Sequence, residues 1–157
     1  MLLRKIFILR HAQAGAAQDD FERSLTAKGI SDMQAMAQRV ADLDLHPDFV
    51  LCSPAKRTRM TLEIFSPGVA AQFPEKLYNA DVGTHYEALK AVDDFCRSVM
   101  VVAHNPGIYN LVRFLAVPSH DVPVGYAPGT LTVLECGIDR WADLMPEANP
   151  VLHVLTV

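Results

Sequence analysis

Three short apolar runs, each closing on a polar residue, constrain this chain more than any other feature. Ile6–Phe7–Ile8–Leu9 runs into Arg10–His11, Phe49–Val50–Leu51–Cys52 into Ser53–Pro54, and Val99–Met100–Val101–Val102–Ala103 into His104–Asn105–Pro106–Gly107. Runs of four or five apolar residues bounded by turn residues read as strands buried on both faces. Helical spacing lies between and after them. From Ala27 to about Leu43, Ile30, Met33, Ala37 and Val40 recur at three- and four-residue steps behind Thr26, a good N-cap. A second helix is expected from about Ala55 to Phe65, with Ser53 as cap and Pro54 at its start. A third is expected from about Thr84 to Phe95, with Leu89, Val92 and Phe95 on one face. A fourth follows Gly107, where Ile108, Leu111, Val112 and Leu115 form a stripe.

Strands alternating with helices imply an α/β fold with a largely parallel sheet and right-handed crossovers. Weaker edge elements are expected at Val69–Phe73 and Lys76–Tyr78. Thr130–Cys136 reads as a strand, and Trp141–Leu144 and Leu152–Val157 as further, antiparallel ones. The chain's 157 residues, half of them hydrophobic, suit one domain with a real core. No linker or repeat divides it.

The parallel strands of such a sheet end on one edge, and ligands bind in the crevice outside those ends. Arg10, His11, Arg57 and His104 are therefore expected to meet there. An imidazole serves as nucleophile or proton carrier near neutral pH. A guanidinium offers a fork of donors matched to phosphate or carboxylate. Lys56, Arg57 and Arg59 crowd a helix start, where cations oppose the dipole unless an anion is held. Lys56 and Arg59 read as solvated charges, and Arg57 as the one that reaches back to the strand end.

Other classes are disfavoured. The net charge of −4 gives no long-range attraction for nucleic acid or an anionic membrane. No apolar run is long enough to span a bilayer, and the N-terminus lacks the pattern of a signal peptide. Cys52, Cys96 and Cys136 are odd in number and widely spaced, so neither a disulfide framework nor a zinc site is indicated, and the cytoplasm is the expected compartment. A zinc cluster on His11 and His104 lacks further ligands at suitable spacing, and two arginines would repel the metal. Of the other histidines, His46 and His153 read as structural or exposed, while His85 and His120 could border the pocket.

The motifs resemble those of the histidine phosphatase (phosphoglycerate-mutase-like) superfamily. Leu9–Arg10–His11–Ala12 is similar to its signature, Ser53–Pro54–Ala55–Lys56–Arg57–Thr58–Arg59–Met60–Thr61 to its SPxxRxxxT motif, and His104–Asn105–Pro106–Gly107 to its second-histidine motif. The short length, Leu25–Thr26–Ala27–Lys28–Gly29 and the HNP sequence resemble the small SixA-like branch. The resemblance implies a three-layer sandwich over residues 1–157, a mostly parallel sheet with helices on both faces. It implies a phosphatase in which His11 attacks phosphorus, forming a phosphohistidine that water hydrolyses. Arg10, Arg57 and His104 would hold the phosphoryl oxygens, without metal or other cofactor. Phosphohistidine on a protein is the implied substrate. A small phosphoester is the alternative, and a non-catalytic module that binds phosphorylated partners is a second. Many relatives carry an acidic proton donor. Asp81 is the candidate here, ahead of Glu75 and Glu87, which read as solvated loop charges. Without such an acid, phosphoramidates and aryl phosphates would be favoured over alkyl phosphates.

Overall fold

The computed structural model describes residues 2–157. Six strands form one sheet in the order β3-β2-β4-β1-β5-β6. They are β1 (Leu3–Arg10), β2 (Phe49–Cys52), β3 (Ala70–Gln72), β4 (Ser98–Ala103), β5 (Leu131–Gly137) and β6 (Val151–Leu155). The pairs β3/β2, β2/β4 and β4/β1 are parallel, whereas β1/β5 and β5/β6 are antiparallel. The helices are α1 (Ala27–Asp42), α2 (Lys56–Phe65), α3 (Val82–Lys90) and α4 (Gly107–Leu115).

Side chains alternate across a strand, so each central strand feeds two cores. Ile6, Ile8, Val99 and Val101 pack with Leu89 of α3 and Ile108, Leu111 and Leu115 of α4. Phe7, Leu9, Met100 and Val102 pack on the other face with Met33, Met36 and Val40 of α1 and Leu62 and Phe65 of α2. The result is the expected three-layer α/β sandwich. All six residues of β4 are buried, as a strand covered on both faces requires.

Several boundaries differ from the sequence expectation. The third helix ends at Lys90, and Phe95 is 94% exposed. Asp93 closes a turn there by accepting the Phe95 N–H, and the adjacent Asp94 accepts the Trp141 N–H. Trp141–Asp143 is a single 3-10 turn and not a strand. Its indole is fully buried and donates to the Cys96 carbonyl, so the segment is fixed by burying one large ring. Glu75–Leu77 is likewise a 3-10 turn behind Pro74, not an edge strand. Ser53 does not cap α2; that position falls to Ala55, which makes no side-chain cap bond.

Arg4 is also buried, within β1. Its guanidinium donates to the carbonyl oxygens of Ile138, Asp94, Cys96 and Asp139 and lies 5.4 Å from the Trp141 ring centre. It ties the start of β1 to the turns before β4 and after β5. At the opposite end two glycines allow close approaches. A Cβ on Gly29 would stand 2.2 Å from the Gln13 carbonyl oxygen, and one on Gly107 2.0 Å from that of Ala80. The first contact seats the loop after β1 against α1. The second seats the start of α4 against the turn before α3.

Candidate active site

The carboxyl ends of β1, β2 and β4 lie side by side. Arg10 is in register with Ala103, and Cys52 with Val102. The His11 N–H donates to the Ala103 carbonyl and the Ser53 N–H to that of Val102, so the three chain exits leave the sheet together. This register brings His11 to His104, with ring centres 5.4 Å apart. Both rings are buried, as is Arg57.

Each imidazole has a hydrogen-bond partner on one ring nitrogen. His11 Nδ1 lies 2.8 Å from the Ala12 carbonyl oxygen, which can only accept. Nδ1 therefore carries the proton and Nε2 is left with its lone pair. Burial first, then the charges of Arg57, Arg10 and Arg23, outweigh the hydrogen bond to Ala12 and push the His11 pKa down to about 4. The ring is thus neutral near pH 7, with the Nε2 lone pair free. His104 Nε2 lies 2.6 Å from Ser53 Oγ. Ser53 Oγ also accepts from the Ala55 N–H at 3.4 Å and has its own hydroxyl proton free to give the histidine. With Ser53 as the donor, the ring proton of His104 lies on Nδ1. Burial, then Arg57 and His11, push its pKa down to about 3. The His104 ring is thus neutral near pH 7.

The arginines are held by their tips. Arg10 Nη1 donates to the Tyr126 carbonyl oxygen, which also accepts from Asn105. Arg57 Nη1 and Nη2 donate to the carbonyl oxygen and the carboxylate of Asp20. Arg10 Nε, Arg57 Nε and His104 Nδ1 are buried and have no hydrogen-bond partner within the chain. Buried donors without acceptors are costly, and these three, on residues that lie beside His11, can form a socket for an oxyanion. The lone pair of His11 Nε2 completes the set. Such a constellation can receive a phosphoryl group, attack it and stabilise its charge.

Asp81, the sequence candidate for proton donor, lines a cleft of ≈ 380 Å³ together with His104, Asn79, Asn105 and Asn110. It is the N-cap of α3 and accepts from the Thr84 N–H, which holds its pKa below the usual carboxylate value. A carboxyl kept ionised by a capping bond is a poor acid. Glu75 and Glu87 are exposed, as are His46 and His120. His85 is buried behind the start of α4, its ring near Gly107, and neither nitrogen has a partner. Burial holds its pKa down at about 4. His153 lies in β6, half-buried.

Sequence reasoning missed Asp20 and Tyr78. The segment around Asp20 reads as an exposed polar loop, and Tyr78 as part of an edge element. In the structure the Tyr78 ring meets His104 edge-on at 5.7 Å, and its hydroxyl donates to Asp20. Phe21 meets Tyr78 edge-on in turn. Thr61, within the second motif, accepts the Ala12 N–H and donates to the Arg57 carbonyl, joining α2 to the residue after His11.

The three buried histidines give the fold a defined pH response. Their folded-state pKa values lie near 4, 4 and 3 for His11, His85 and His104, against an ordinary 6.5. As pH falls below 6.5 the unfolded chain binds protons that the folded chain refuses, so unfolding becomes easier. Stability present above pH 6.5 is therefore lost as pH falls toward 4. For His85, sealed from solvent, this amounts to about 3 kcal/mol. The urea midpoint should drop steeply between pH 6.5 and 4.5, and a flat profile there would contradict the assignment of neutral rings. Asp20, whose pKa is lowered to about 2, adds its loss only below this window.

Comparison with known proteins identifies the family. Residues 6–94 match the histidine phosphatase superfamily (branch 1), a span that holds Arg10, His11 and Arg57 and ends before His104. An uncharacterised protein of Mycobacterium tuberculosis is 29% identical over 147 residues, covering 88% of this chain and 92% of that one. A solved structure from Nakamurella multipartitia, provisionally assigned as the phosphohistidine phosphatase SixA, is similar with a TM-score of 0.90 and 29% identity, over 98% of this chain and 96% of that one. Another, from Agrobacterium tumefaciens and provisionally assigned in the same way, gives a TM-score of 0.82 and 26% identity, over 98% of both chains. No helix among the described residues is long and apolar enough to cross a membrane. The chain belongs to the histidine phosphatase superfamily (branch 1) and is a phosphatase.

Proposed function

We propose that the protein hydrolyses phosphohistidine on a protein, through a covalent phosphohistidine on His11. His11 Nε2 attacks phosphorus as the bond from phosphorus to the substrate's imidazole nitrogen breaks. The substrate histidine departs with that electron pair. Water then attacks the phosphorus on His11, the P–Nε2 bond breaks, and inorganic phosphate leaves with His11 restored. Arg10 Nε, Arg57 Nε and His104 Nδ1 donate to the three equatorial oxygens and stabilise their charge in both steps. Asp81 is assigned a capping role and no proton transfer.

One observation carries the substrate assignment. The two carboxyl groups near the socket are both engaged as acceptors, Asp20 by Arg57, Arg23 and the Tyr78 hydroxyl and Asp81 by the Thr84 N–H, so neither is a free acid. Neither can readily protonate an alkoxide. A phosphorylated imidazole needs less help, because it departs as a neutral ring once its other nitrogen carries a proton. The likeness to the two SixA-assigned structures supports the same reading.

The test is a comparison of three substrates with wild type and His11→Ala. A phosphohistidine-bearing protein should be turned over fastest, an aryl phosphate more slowly and an alkyl phosphate least. Preference for the alkyl phosphate would move the assignment to small phosphoesters. Release of no phosphate from any of the three would leave only a binding role for the pocket.

A further inference from the structure

Asp20 sits outside the motifs and touches three groups that matter to the pocket. Its main-chain carbonyl oxygen accepts from Arg57 Nη1 at 2.8 Å, and its carboxylate Oδ2 from Arg57 Nη2 at 3.2 Å. The same Oδ2 accepts from the Tyr78 hydroxyl, and Oδ1 from Arg23 Nη1 at 3.2 Å. The carboxylate is half exposed, yet these contacts, the Tyr78 hydroxyl foremost, hold its pKa down at about 2. Arg57, by contrast, is buried to its tip. A guanidinium has five N–H bonds in one plane. Pinning both terminal nitrogens on one residue fixes the plane and leaves Nε, buried and without a partner, as the donor turned elsewhere.

From this we propose that Asp20 is the positioning residue of Arg57. It clamps the fork by backbone and side chain together, so that Nε is presented to the phosphoryl group at a set angle. Tyr78 braces the clamp from the side of His104, and Phe21 braces Tyr78. The loop carrying Asp20 thereby becomes part of the phosphate socket without touching phosphate. Arg10 is held more simply, by a single bond from Nη1 to the Tyr126 carbonyl. Such supporting contacts around a reacting group are worth about 10–100-fold in activity when removed. The inference rests on the reading of the pocket as a phosphoryl site, and its test separates the two.

An aryl phosphate is the probe, with wild type, Asp20→Ala, Asp20→Asn, Arg57→Ala and the Asp20→Ala/Arg57→Ala double variant. If wild type does not hydrolyse the aryl phosphate or a phosphohistidine protein, the phosphoryl reading itself fails. With wild type active, Asp20→Ala should lower kcat/KM about tenfold. Asp20→Asn keeps an acceptor oxygen for Nη2 and should recover most of that loss. On the Arg57→Ala background, the Asp20 substitution should change nothing further, because there is no fork left to aim. An unchanged or higher kcat/KM in Asp20→Ala would overturn the proposal, since the carboxylate would then be idle or a competitor of the substrate. The same tenfold loss on the Arg57→Ala background would overturn it too.

Discussion

Replacing His11 with alanine should lower kcat by about 10⁴-fold or more, the scale seen when a covalent nucleophile is removed. The chain should remain folded, because the substitution takes away a ring that burial already holds neutral, and leaves a small cavity near the surface of the sheet edge. Rapid quenching of wild type with a radiolabelled phosphoryl substrate should trap a phosphoenzyme that survives alkali and is lost in acid, as a phosphoramidate is. The variant should carry no label. Labelling that persists in His11→Ala would place the covalent chemistry elsewhere. The pH profile gives an independent check. With the His11 pKa near 4, the free enzyme holds its nucleophile ready throughout the range from pH 5 to 8. Once the substrate's own ionisation is divided out, the acid limb of kcat/KM should fall near pH 4 and not near 6.5.

Arg57→Ala should be the next most damaging change, lowering kcat/KM by about 10²–10³-fold. Two losses combine. The buried Nε donor goes, and so does the positive charge that acts on both His11 and His104. Lysine should restore little. An ammonium is a compact charge that cannot hold the Asp20 carbonyl and carboxylate while offering a further N–H at a fixed angle. The substitution should also register on the histidines. Arg57 lowers the pKa of both His11 and His104, so nuclear magnetic resonance titration should find both imidazoles titrating at higher pH in Arg57→Ala. Unmoved titrations alongside lost activity would mean that Arg57 stands farther from the rings than the geometry places it.

The parts of this site that lie on regular structure were legible in the sequence. Arg10 and His11 end a four-residue apolar run, His104 ends another, and parallel pairing forces such ends together. Arg57 could be separated from Lys56 and Arg59 because only it faces back from the first turn of α2. Parts set by loops were not legible. Asp20 is one of several acidic residues in a polar stretch, and nothing in its spacing marks it as the one that meets Arg57. Tyr78 follows a proline-led turn whose direction depends on α3. Ser53 has the composition of a helix cap, and only the approach of His104 diverts its hydroxyl. Trp141 and Phe95 were misread for a related reason. Apolar residues outside a clear period say that something is buried, not which element buries it. Trp141 is buried by a turn, and Phe95 is left in water.

The position of that indole has a practical consequence. Trp141 is the chain's single tryptophan, stacked under Arg4 where β1 begins. His11 follows the far end of the same strand, roughly 25 Å away by the rise of eight extended residues. Its fluorescence is therefore a clean optical gauge of denaturation, tracking when the guanidinium lets go of its four carbonyls. The same signal should stay silent when an oxyanion such as vanadate is titrated in, so occupancy of the socket will have to be read by calorimetry or from the histidine resonances.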